Sequence, residues 1–484
     1  MSQAARTAVI PIRPVATGPD DELTVSMYEK QAKIYPRSVS GWFARWRWSM
    51  VWLTQLVFYG APWLQWNGRQ AMLFDLTERR FFVFGLVLQP QDLIYLAALL
   101  VIAALSLFLF TAVAGRLWCG YACPQTVYTE MFLWVERRLE GDRVTRMRLD
   151  AAPWGMEKLS RKGGKHAVWL AIGLFTGFTF VGYFTPIRML AAEATTLALS
   201  AWQWFWILFY GLATYGNAGY MREQVCKYMC PYARFQSALI DKDSLVIAYD
   251  AGRGEARGSR PRKADARALG LGDCIDCTLC VQVCPTGIDI RNGLQNECIG
   301  CAACIDVCDD VMGKMGYPTG LIRYSTENGV ARGWSRAQML RRSLRPRVLV
   351  YAGVLLTVIT LFVTSLYLRS EFAVDVIKDR STLARTVDHG AVENVYRLQI
   401  ANGTEQPHRY RVEVTGLRGL KIATPAEIDV EGTRIGSLAV RVALDAVAAE
   451  AHRGQVVPIA FEVTTSPGGQ RRTVDEKSTF FVPR

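Results

Sequence analysis

The chain has 484 residues, 51% of them hydrophobic and only 20% charged, with a mean hydropathy of +0.12. An ordinary soluble enzyme fits this poorly, and membrane spans are expected. Lysine and arginine outnumber aspartate and glutamate 56 to 43, a formal net charge of +13; this suits nucleic acid, anionic lipid or basic loops on one side of a membrane, and its distribution along the chain decides among them.

The first 26 residues contain no apolar core of a cleaved signal peptide and read as a polar, proline-containing tail, extending over residues 1–48. Five stretches then reach the length a helix needs to cross a bilayer: Ser49–Trp66, Leu93–Ala114, Ala167–Phe184, Trp202–Met221 and Val348–Leu368. Gln55, Pro62, Gln203 and Asn217 interrupt the first and fourth, although Trp and Tyr at their ends suit interfacial belts. A helix buried in a large soluble core would explain one such stretch but not five.

Basic residues alternate between the loops: 7 in residues 1–47, 3 in 67–92, 10 in 114–166, 1 in 185–201 and 19 in 222–347. Lys and Arg accumulate on the cytoplasmic side, so the N-terminus is expected inside and the C-terminus exported to the periplasm of a bacterial inner membrane. The charge therefore calls for no nucleic acid. The basic run Gly252–Lys263 reads as a solvated linker in preference to an anionic-lipid contact.

From about Glu371 the periodicity changes to two. Asn394–Asn402, Arg409–Thr415, Leu438–Leu444 and Val456–Val463 alternate apolar and polar residues between turn residues, predicting an immunoglobulin-like β-sandwich over 369–484. It holds no Cys, and its His389, His408 and His452 are scattered without ligand spacing, so docking or spacing is expected of it. The expected fold is thus a multi-domain membrane protein. A helical transmembrane core over 49–247 precedes a ferredoxin-like domain at 248–347, a fifth span at 348–368 and the sandwich.

Twelve cysteines fall into four motifs with none left over. Two are C-x2-C-x2-C-x3-C, at Cys274, Cys277, Cys280, Cys284 and at Cys298, Cys301, Cys304, Cys308. In this bacterial ferredoxin pattern three close thiolates grip one [4Fe–4S] cluster and the fourth ligates the other. The assignment is Cys274, Cys277, Cys280 and Cys308 for one cluster, and Cys298, Cys301, Cys304 and Cys284 for the second. Zinc would favour two separated pairs per metal. Asp309 stands where Pro usually follows the fourth Cys, which puts the local turn in question.

The other two motifs are C-x3-C-P, at Cys119–Pro124 and Cys226–Pro231, each a few residues after a span, with Arg116 or Arg222 upstream and Tyr121 or Tyr228 at the third place. They read as an internal duplication. On a helix, positions i and i+4 share a face, and a Pro opening the next helix leaves the preceding Cys at an N-terminus whose dipole favours thiolate. Cys119, Cys123, Cys226 and Cys230 together would select Cu(I), zinc or an iron–sulfur centre, with Met229 a further soft donor. Copper suits an electron carrier on the same membrane face; inert packing thiols and a thiol/disulfide pair without metal fit the same spacing.

No His lies within an expected span, His166 standing at the edge of the third, which argues against haem in the bilayer. Neither GxGxxG nor GxxxxGK[ST] occurs, and Gly173 and Gly177 read as a helix-packing pair.

With these motifs, the segment Gly316–Thr326 and the exported sandwich, the chain resembles the FixG/CcoG family of membrane polyferredoxins, accessory proteins of cbb3-type cytochrome c oxidase assembly. The resemblance implies an oxidoreductase that takes electrons from a cytoplasmic donor and reduces Cu(II) to Cu(I), working with a copper transporter or chaperone and the oxidase subunits. NapH-like quinol dehydrogenases share the motifs but lack the fifth span and the sandwich; a non-catalytic assembly scaffold is a third reading.

Overall fold

The computed structural model describes residues 33–379, 384–387, 390–466 and 471–484; most of the expected N-terminal tail, and His389, lie outside them. Helix α1 (Trp42–Gly60) is followed by a three-stranded meander, β1 (Met72–Asp75), β2 (Arg80–Val83) and β3 (Leu86–Leu88), and then by α2 (Leu93–Ala114). The first expected span is therefore displaced toward the N-terminus. Pro62 stands in a 3-10 turn at the end of α1, and residues 65–66 already pair with 69–70.

After α2 come a short helix α3 (Leu117–Tyr121), α4 (Pro124–Glu140), α5 (Arg143–Ala151) and α6 (Met156–Val181), then α7 (Ile187–Thr195) and α8 (Ala201–Gly216). Two π-helical turns, Asn217–Met221 and Val225–Met229, lead into α9 (Pro231–Leu239). Among the described residues α2, α6 and α12 (Pro346–Tyr367) are long and apolar enough to cross a membrane. Helices stand at all five expected stretches, but α1 carries Arg45 and Arg47, and α8 covers 16 residues before its backbone continues directly into the π-helical turn Asn217–Met221.

Glycines bring α6 and α8 together: a Cβ on Gly173 would lie 2.6 Å from the Gly211 carbonyl oxygen, and one on Gly177 only 2.2 Å from that of Ile207. Helices α2 and α12 run side by side. They are tied at one end by Arg369 to Asp92, 2.9 Å, and at the other by Arg345 donating to the Ala112 carbonyl, 2.8 Å.

The cysteine-rich segment is framed by a two-stranded ribbon, β4 (Val246–Tyr249) and β5 (Ile322–Ser325), and holds α10 (Leu279–Gln282) and α11 (Ala303–Met315). It is not independent of the membrane helices. The Asp306 carboxylate accepts from the Phe43 and Ala44 amides at 3.1 and 2.7 Å, satisfying the open N-terminus of α1. Residues 33–41 are likewise anchored, with Lys33 and Tyr35 donating to Asp150 at 2.8 and 2.6 Å.

Beyond α12 stand β6 (Phe372–Lys378), β7 (Val392–Asn402), β8 (His408–Thr415), β9 (Leu420–Ile422), β10 (Glu427–Val430), β11 (Ile435–Leu444), β12 (Val456–Thr465) and β13 (Arg472–Phe481). One antiparallel sheet runs β9-β11-β7-β6 and the other β10-β8-β12-β13. Their inner faces close over Tyr396, Leu398, Tyr410, Val442, Phe461 and Phe480. Glu405 of this sandwich pairs with Arg69 beside the meander.

Candidate functional site

The eight ferredoxin cysteines surround two cavities. One is lined by Cys274, Cys277, Cys280 and Cys308. The other is lined by Cys284, Cys298, Cys301 and Cys304, with Cys280 at the wall between them. Each four-Cys run therefore sends its last sulfur to its neighbour's cavity.

The backbone is shaped to the same end. Asp276 and Thr278 flank Cys277 with φ of 52° and 56°; Gly300 and Ala302 flank Cys301 with φ of 70° and 59°. These left-handed residues bend the chain locally, the Gly300 and Ala303 amides face the Cys298 and Cys301 sulfurs, and three of the four bear side chains that disfavour this conformation. Burial pushes the Cys298 and Cys308 thiols up to about 12 and Cys280 to about 11, so protons must leave as metal enters. Among the described residues no three Cys, His, Asp or Glu side chains converge on a single ion. The sulfurs line cavity walls instead, as required when each thiolate takes its own iron. The donor set fits a cubane cluster in each cavity.

Asp309 leaves no turn behind Cys308. Helix α11 continues through both residues to Met315, where a Pro would break it, and the Asp309 carboxylate accepts from the Gly320 amide at 2.7 Å.

The C-x3-C-P pairs do not sit on one continuous helix face. Cys119 lies in α3 and Cys226 in a π-helical turn, whereas Cys123 and Cys230 cap the next helices, α4 and α9, with Pro at their first positions. Each pair is a joint between two helices. At Cys123 the Gln125 and Thr126 amides favour the thiolate, but burial outweighs them and the thiol is raised, against the expected dipole effect. Burial also pushes Cys119 up to about 11 and Cys226 to about 12. Cys119 Sγ donates to Gln236 Oε1 at 3.3 Å. Met229 is 55% exposed and does not pack among these thiols.

The first joint rests directly on the second four-Cys run. A Cβ on Gly120 would lie 2.8 Å from the Gly300 oxygen and 2.9 Å from the Cys301 backbone. Tyr324 donates to the Gly300 carbonyl at 2.6 Å and meets the Tyr121 hydroxyl at 3.4 Å. Cys119 and Cys226 pack in one apolar cluster with Cys301, and Arg47, Tyr121, Cys226 and Cys301 line a common cavity. Sequence reasoning missed Gly120, Asp306 and Arg47, because their roles arise only from contacts between distant segments. Gly120 alone left a signal, since the equivalent place in the second motif is Lys227.

Two cluster cavities built into a segment anchored on long apolar helices define a membrane iron–sulfur protein. Comparison with known proteins agrees. The 4Fe-4S dicluster domain family matches residues 221–327, a 4Fe-4S binding domain family residues 96–141, and the family of the immunoglobulin-like fold at the C-terminus of FixG residues 362–483. The chain is 39% identical to the nitrogen fixation protein FixG of Rhizobium meliloti over 440 residues, covering 84% of each chain. It is 40% identical to protein RdxA of Cereibacter sphaeroides over 414 residues, covering 84% of this chain and 87% of that one. The crystal structure of a FixG-related protein from Vibrio parahaemolyticus aligns at 26% identity with a TM-score of 0.21, covering 23% of this chain and 97% of that one. The chain belongs to the FixG family.

Proposed function

We propose that this protein carries electrons from a soluble cytoplasmic one-electron donor to copper, reducing Cu(II) to Cu(I) for assembly of a cbb3-type oxidase. In this reading the bundle spans the inner membrane five times, with the N-terminus and the cluster segment 248–347 in the cytoplasm and the sandwich in the periplasm. The observation that carries it is the packing of Cys119 and Cys226 against the apolar cluster that contains Cys301, together with the cavity that Cys226 and Cys301 both line. When bound, the clusters supply storage of one electron each.

Cys119, Cys123, Cys226 and Cys230 hold the copper substrate as soft thiolates, which favour the reduced ion and draw the electron onto it. One Cu(II) consumes one electron and leaves as Cu(I), and the donor is oxidised by the same count. A copper transporter or chaperone on one side and oxidase subunits on the other are the partners this chemistry requires.

The test replaces all four cysteines with Ser in full-length protein purified anaerobically with its clusters. Cu(II) reduction by the dithionite-reduced protein, read with a Cu(I) chelator, is expected to vanish while the iron content and visible cluster absorption stay unchanged. Reduction at the wild-type rate in this variant would overturn the reading.

A further inference from the structure

The basic run Gly252–Lys263, expected as a solvated linker, is the start of a loop fastened to the first run of thiols. The Cys274 amide donates to the Gly254 carbonyl at 3.4 Å, the Gly258 amide to the Cys274 carbonyl at 3.3 Å and the Gly272 amide to the Ala256 carbonyl at 2.9 Å. Buried Arg260 clamps the same stretches, donating to the carbonyls of Gly272, Gly258 and Cys274 at 2.6, 3.2 and 3.4 Å and to the Tyr317 hydroxyl at 3.1 Å. Beyond these ties the loop folds back on itself, the Ala264 amide donating to Pro261 at 3.0 Å and that of Leu271 to Ala266 at 2.9 Å.

The tip held in this way is basic on its outer side. Arg262, Lys263 and Arg267 are exposed and form no ion pair among the described residues, and Leu269 is exposed on the same tip. Asp265 is the one acid between residues 261 and 270, and its carboxylate accepts from the Arg267 amide at 2.9 Å. The acids closer to the thiols are already engaged. Glu255 holds Arg257 at 3.1 Å, Asp273 holds Arg253 at 2.5 Å, Asp276 and Asp289 share Arg291, Asp310 holds Lys314 at 2.5 Å, and Asp309 accepts from the Gly320 amide. Arg262 and Lys263 follow the anchored Arg260 by two and three residues, so they lie within about 11 Å of it. The cavity they adjoin is the one with an opening: of the eight ferredoxin cysteines, Cys277 alone is exposed.

We propose that this loop tip is the docking surface of the soluble electron donor, and that the donor is a small carrier whose redox centre is rimmed by acidic residues. A rim of one sign steers a partner of the other and fixes its register, and Leu269 supplies an apolar contact within it. One electron leaves the partner, which is oxidised by one equivalent, and one enters the site of Cys274, Cys277, Cys280 and Cys308; no bond forms or breaks. A basic loop also suits anionic lipid, but the exposed thiol of the same site favours a soluble partner, since a port pressed against lipid is closed to one. The inference rests on the soluble donor of the proposed function and not on copper.

The test is stopped-flow, copper-free reduction of the full-length protein with its clusters in neutral phosphatidylcholine nanodiscs, using a reduced flavodoxin of strongly acidic net charge as the probe. The second-order rate should fall steeply with added salt in the wild type. Reversal of the tip charges, Arg262→Glu with Lys263→Glu and Arg267→Glu, should slow the reaction about tenfold at low salt and flatten the salt dependence. Neutralisation of the same three residues to Gln should give an intermediate loss, and reduction by the small cation of methyl viologen should be no slower in any variant. Unchanged flavodoxin kinetics after charge reversal would overturn the proposal, as would an equal slowing with methyl viologen or an equal slowing in an Arg336→Glu, Arg341→Glu control. A reversal effect that appears only when anionic phosphatidylglycerol is added to the nanodiscs would place the tip on lipid and also overturn it. A failed copper assay would leave this result standing, and unchanged donor kinetics would leave the copper reading standing.

Discussion

The two C-x3-C-P segments are near-repeats in sequence and unlike in their surroundings. Around the first, Gly120 lies backbone to backbone on Gly300 and Cys301, and Arg116 binds carbonyl oxygens alone. Around the second, Lys227 occupies the place of Gly120, Tyr228 and Met229 are exposed, and Arg222 is bound to the buried Glu136 at 2.6 Å. A duplicated motif has thus been divided into an anchored half, pressed onto a cluster site, and a half braced by an ionic network in the helical bundle. Shared ligand spacing does not imply shared environment, and the charge balance at each half follows its own neighbours.

The largest expected difference between the halves is steric. Gly120→Val would drive a branched side chain into the Cys301 backbone, costing about 3 kcal/mol and loosening the second cluster. Lys227→Val should stay within about 0.5 kcal/mol. Thermal denaturation and iron content of both variants measure the contrast, and equal losses would erase it.

An effect of similar size separates the arginines. Glu136 also holds Arg146 at 2.8 Å, so Glu136→Gln takes the carboxylate from both Arg146 and Arg222, while Lys165 keeps Glu140 at 3.0 Å, and should cost about 3 kcal/mol. Burial alone would raise the Glu136 carboxyl, but Arg222, with Arg146 and Lys165, more than offsets this and holds it below the usual carboxylate range. A carboxyl lowered by folding stabilises above its ordinary value and loses that contribution as pH falls through the depressed one. The bundle should therefore weaken only in strong acid, and Glu136→Gln should remove much of that dependence in a stability series from neutral pH downward. The smallest contrast is at the tyrosines. Tyr121→Phe loses the 3.4 Å meeting with Tyr324 and should cost under about 1 kcal/mol, measurable as a lowered melting temperature.

Much of this architecture was legible in residue patterns. The cysteine spacing divides eight thiols between two sites, and the two cavities are lined in the same division, with Cys280 reaching both. The alternation of β7, β8, β11 and β12 was equally plain. Further strands of the sandwich escaped notice: β9, β10 and the two-residue strand Arg385–Thr386 are very short, β13 (RTVDEKSTFF) is too charged, and β6 follows α12 too closely for a periodicity to develop. What stayed hidden was long-range. Nothing local in WFARWR announces that Arg47 ends in a cavity with Cys301, and nothing in CIDVC announces that Asp306 closes the N-terminus of α1. Such contacts are written in the topology that brings residues 41–47 and 298–308 together.

The carboxylate of Asp306 completes α1 from more than 260 positions away. During synthesis at roughly 5–20 residues per second, the leading helix must wait on the order of 15 to 50 seconds before that clasp exists. Helix α1 is therefore finished only after the metal-binding segment has followed it out of the ribosome, and a chain cut short before that segment keeps this helix open at one end.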